Sequence, residues 1–78
     1  MKERIIFQPY MSGRGARVVL GQAVVCRDSE EAQRRAEKAM SGGHVVGAHI
    51  IRVSDDEATG EYGEPDYLVA MGRTPDAD

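Results

Sequence analysis

An α+β fold is predicted, a β-β-α-β-β chain in which an antiparallel sheet of about four strands carries one helix across one face. Three observations predict it. Only Asp28 to Gly43 has helical signals at both ends. Alternating and β-branched runs flank that segment on both sides, as strands require. The apolar stripe of the helix is mostly alanine, so the helix can lie close to its partner, most simply a sheet.

Arg4 to Tyr10 reads as the first strand, with Ile5 and Phe7 on one face and Arg4, Ile6 and Gln8 on the other. Pro9 lacks a ladder donor, so the strand is expected to be an edge there, or to end or bulge there. Ser12-Gly13-Arg14-Gly15 reads as a hairpin turn, since glycine supplies the conformations turns need. A Gly-Arg-Gly phosphate cradle is the other reading, but this segment opens no helix and lacks nucleotide-loop spacing. Arg17 to Cys26 reads as the second strand, open to interruption at Gly21, with apolar residues on both faces.

The helix follows. Asp28 or Ser29 caps its first amides, and Glu31 sits three residues after Asp28, as in a capping box. Ala32, Ala36, Ala39 and Met40 form the apolar stripe. Glu30–Arg34 and Glu31–Arg35 are four-residue charge pairs, each worth roughly 0.2–0.5 kcal/mol. Gly42 or Gly43 closes the helix. His44 to Ser54 reads as the third strand and Tyr67 to Gly72 as the fourth, and residues 73–78 as a flexible acidic tail.

Seventy-eight residues make one domain with a modest core. The single cysteine, Cys26, excludes an intramolecular disulfide and a multi-cysteine zinc site. Beside a helix start its thiol could be activated, but a small buried hydrophobe is the favoured reading. The apolar run Ile5–Phe7 is too short for a signal-peptide core or a membrane span, so a cytoplasmic protein is expected. His44 and His49 are five apart, which on one strand sends them to opposite faces and prevents shared metal ligation.

Net charge is −3, unevenly placed. Residues 1–40 hold 8 Lys/Arg and 5 Asp/Glu, while residues 41–78 hold 2 Arg and 8 Asp/Glu. Arg14, Arg17, Arg27, Arg34, Arg35 and Lys38 could form a basic face for nucleic acid, but the acidic net charge disfavours a dedicated binder. Ser54 to Asp66 crowds carboxylates between two strands. Asp55, Glu57 and Asp66 are the candidate cation ligands there, at the first, third and twelfth positions of a loose calcium-loop echo. Its third, fifth and twelfth positions depart from that pattern, and its flanks read as strands. A solvated connection is the favoured reading.

Ser29-Glu30-Glu31-Ala32, Gly60-Glu61, Pro65, Gly72 and Pro75 occur in an order that resembles a group of small, uncharacterised single-domain bacterial proteins of proteobacterial type. The resemblance implies a shared small fold and carries no activity.

No nucleophile, base and orienting group can be assembled from the sequence, so an enzyme is the least supported class and no cofactor is expected. One helix covers one face of four strands. Ile6, Val19, Ile51 and Val53 are the candidates for apolar side chains on the other face. Contiguous exposed apolar surface marks interaction sites. The expected function is therefore a non-enzymatic interaction module, paired with itself as a two-fold dimer or with another protein. Cation or small-ligand binding at the acidic loop is the alternative, and weak nucleic-acid contact the third.

Overall fold

The structure, a computed structural model, describes residues 2–15, 17–56 and 60–75. The elements are β1 (Lys2–Ser12), β2 (Val18–Leu20), β3 (Val24–Cys26), α1 (Ser29–Ser41), β4 (Val45–Asp56), β5 (Glu61–Tyr62) and β6 (Asp66–Gly72). They form one antiparallel sheet with the helix against one face, the α+β architecture expected. The strand segments fall into four lanes. β1 and β4 pair along most of their length in the middle. β2 and β3 share the lane beyond β1, and β5 and β6 the lane beyond β4.

Pro9 does not make β1 an edge. Its carbonyl accepts from Gly21 N at 2.9 Å. Because the amide and carbonyl of a strand residue point the same way, the missing donor also faces the β2–β3 lane. That lane is interrupted beside it, between Leu20 and Val24. The Gln8 side-chain amide bridges the gap, donating to the Pro9 carbonyl at 2.9 Å and the Gly21 carbonyl at 3.0 Å. The neighbouring strand breaks where proline withholds a bond, and a glutamine fills the gap.

The hairpin turn after β1 closes through Gly13 N to Arg17 O at 2.8 Å. Asp28 is the N-cap, its carboxylate accepting from Glu31 N at 2.8 Å. The Glu31 carboxylate pairs with Arg35 at 3.3 Å and Arg27 at 3.8 Å. At the other end Gly42 stays right-handed, and Gly43, with φ of 86°, makes the left-handed exit.

The core lies between helix and sheet. Ala32 and Ala36 are fully buried against Phe7, Cys26, Ala48 and Ile50, with Ile5, Val24, Ala39, Val69 and Met71 around them. Phe7 pairs with Ile50, and Ile50 with Val69, so one layer crosses three lanes. No described helix is long and apolar enough to cross a membrane.

Candidate functional site

The pleat sends alternate residues to the face that the helix leaves uncovered. On β1, Phe7 points to the helix, so Arg4, Ile6, Gln8 and Tyr10 point away. Register carries this across the sheet. Ile6 stands opposite both Val25 and Ile51, Arg4 opposite Val53, and Tyr10 opposite Leu20. Leu20 is 71% exposed and Val25 63% exposed, while Ile6, Ile51 and Val53 are half-buried. Of the four residues singled out from the sequence, Ile6, Ile51 and Val53 therefore share this face. Val19 pairs with Met11, two positions beyond Pro9, which puts it on the helix side of the sheet, near the turn glycine Gly13.

Tyr67 reaches the uncovered face through a bulge. Strict alternation would put it with Val69 and Met71, which pack on the core. Between Val69 and Tyr67 the register shifts, so that Ile50 faces Val69 and Ile51 faces Tyr67. The extra residue, Leu68, turns Tyr67 over. Its ring, 62% exposed, then meets His49 edge to face, centroids 4.9 Å apart.

His49 lies between two tyrosines. Tyr10 meets it at 89° with centroids 5.3 Å apart, and the Tyr10 hydroxyl is 2.7 Å from His49 Nδ1. Burial, and then the nearby Tyr67, push the Tyr10 phenol above its ordinary pKa. The two groups share one hydrogen bond, whose direction follows the imidazole tautomer. Tyr10, His49, Tyr67, Thr74 and Pro75 line a cleft of about 480 Å³.

The chain end builds one wall of that cleft. Arg73 N donates to Val46 O at 2.9 Å, which lays the segment after β6 across β4. It crosses at Gly47, where any Cβ would collide with the Arg73 backbone. Residues 73–75, expected as the start of a free tail, are thus held against the sheet, and Tyr10 beside them is buried, at 5% exposure. Residues 76–78 lie outside the described residues.

The remaining candidates are placed as follows. Asp66 opens β6 and accepts from Arg52 at 2.8 Å, a hydrogen bond that raises the arginine's pKa. Asp55 lies within β4, opposite Lys2 and Tyr62. Glu57 lies outside the described residues. The connection is shorter than the sequence suggested, because β4 runs on to Asp56 and β5 returns from Glu61. Among the described residues no three His, Cys, Asp or Glu side chains gather as a metal site. Arg14 and Arg17 lie at the hairpin turn, whereas Arg34, Arg35 and Lys38 lie on the helix. Arg27 and Arg35 are engaged with Glu31. Cys26 is buried, and burial followed by the Glu31 charge raises its thiol pKa, the opposite of activation.

The sequence flagged the uncovered face but missed the cleft. Tyr10 and His49 carry no local signal of their pairing, since they are 39 residues apart. No protein-family model, curated protein or solved structure matches this chain.

Proposed function

We propose that the chain is a non-enzymatic self-associating module, two copies packing their uncovered sheet faces together about a two-fold axis. The observation that carries this is the band Leu20, Val25, Ile6, Ile51 and Tyr67, which spans all four lanes opposite the helix. Water-facing sheets show polar side chains there. The molecule extends 44 × 28 Å across its two longer axes. A face of that size can supply the roughly 800 Å² per partner that stable interfaces bury. A second copy fits better than a partner of one charge sign, because the register puts charged residues of both signs on this face, Lys2 and Arg4 on β1 and Asp55 on β4. A two-fold contact opposes like apolar surfaces at no electrostatic cost. The lone buried thiol suits a cytoplasmic setting.

Light-scattering mass across a dilution series tests the proposal. Wild type is expected at the mass of two chains, and Val25→Glu at that of one. Val25 is exposed, so the substitution spares the core. A wild-type monomer at every concentration, or a Val25→Glu dimer as tight as wild type, would contradict it.

A further inference from the structure

We infer that the chain end decides how the two copies meet: their two-fold axis runs across the strands, along the row Val25–Ile6–Ile51–Tyr67, so that each residue of this row faces its own counterpart. The inference rests on the self-association proposed above and adds its geometry. Ile6 stands opposite Val25 on one side and Ile51 on the other, and Ile51 stands opposite Tyr67. One line of apolar residues therefore crosses all four lanes. Its two ends are open, Val25 at 63% exposure and Tyr67 at 62%.

The face differs on the two sides of this row. On one side, past Gln8 and His49, residues 73–75 stand on top of the sheet. The Arg73 backbone fills the place a side chain at Gly47 would take, and Thr74 and Pro75 line the cleft with Tyr10. On the other side the face continues as the pairs Arg4–Val53 and Lys2–Asp55. The chain end is thus a ridge, one backbone layer high, at one end of the face.

In a sandwich with aligned strands, the axis of a two-fold contact runs either along the strands or across them. An axis along the strands, between β1 and β4, returns every row to its own level. Ridge would then meet ridge, and two backbone layers would hold the sheets apart where the apolar row has to close. Each Arg4 would also lie roughly one lane spacing, about 4.8 Å, to the side of its counterpart. Like charges that close are unfavourable in a contact that excludes water. An axis across the strands removes both conflicts. It sends the two ridges to opposite ends of the contact, each at the Lys2–Asp55 end of the other copy. It also sets the two Arg4 residues four residues apart along the strand direction, about 14 Å. The apolar row then closes between the two ridges, and the strands of the two sheets run in opposite directions.

Thiols introduced on the face read the axis directly. Val25→Cys and Tyr67→Cys place one at each end of the row, and Leu20→Cys places one opposite Tyr10, level with the ridge. All three sites are exposed, so the substitutions spare the core. Each chain is treated with a short bismaleimide at a concentration where light scattering gives the wild type a mass of two chains. Val25→Cys and Tyr67→Cys, each alone, are expected to end mostly as covalent dimers. Leu20→Cys is expected to stay mostly as single chains, because eight residues of strand, about 27 Å, separate it from its counterpart. Wild type is expected to stay so too, since its one thiol, Cys26, is buried. Covalent dimers that form only when Val25→Cys and Tyr67→Cys chains are mixed would place the axis along the strands. That result would overturn the inference while sparing the self-association. Leu20→Cys dimers as abundant as those of Val25→Cys, or a two-chain mass with no covalent dimer from any variant, would do the same. A wild-type mass of one chain at every concentration would overturn both.

Discussion

Tyr10 and Cys26 are buried by different layers of the same small molecule. Cys26 lies under the helix, while Tyr10 lies on the opposite face under the chain end. Burial lifts both pKa values. The linkage has one sign for both groups. Each contributes stability below its ordinary pKa, and that contribution is lost as pH rises through the higher folded value. Tyr10 is therefore expected to ionise above the ordinary tyrosine range in an ultraviolet titration, with unfolding accompanying its ionisation. Early ionisation of all tyrosines would show that the chain end does not seal it. Native Cys26 is expected to resist alkylation until denaturant is added. The burial of Tyr10 was not legible in the sequence, whereas a buried Cys26 was the favoured reading there and is what the structure has. A cysteine just before a helix could be activated, but packing in one cluster with Phe7 and Ala36 buries it.

At the scale of elements, what the sequence showed was local and what it hid was not. The helix was legible because cap, stripe and terminal glycines are short-range patterns. Asp28→Ala is expected to cost about 1 kcal/mol in denaturant unfolding, the worth of a side-chain cap. An unchanged midpoint would mean that Ser29 takes over. The split of the second lane was half legible, at Gly21, but its reason required knowing that Pro9 faces it. The bulge at Leu68 was illegible, because Tyr67, Val69 and Met71 alternate as though all three faced the core. Gly47 carries no local sign of its role, which is to let the Arg73 backbone cross. Gly47→Ala is expected to unseat the chain end, expose Tyr10 and destabilise the fold by more than the loss of a helix cap. Near-UV circular dichroism would register the freed tyrosine, and a wild-type spectrum would contradict the crossing.

The whole molecule is a two-layer structure, 17 Å through its shortest axis, in which one helix shelters one side of a four-lane sheet. Its exposed apolar side chains follow from that shortage of cover. Leu20, Val25 and Tyr67 lie opposite the helix, whereas exposed Val19 lies on the helix side, because the strands carry apolar residues at both parities, which the sequence displayed before any register was known. The face was therefore legible as a property of the strands, whereas the bulge that adds Tyr67 and excludes it from the core required the three-dimensional pairing. The most direct test of self-association is a methyl NMR dilution series. Methyl resonances of Leu20, Val25, Ile6 and Ile51 are expected to shift together with concentration, while that of Ile50, buried under the helix, stays fixed. Signals that are all independent of concentration, or shifts confined to the helix side of the sheet, would contradict the pairing of two copies through the uncovered face.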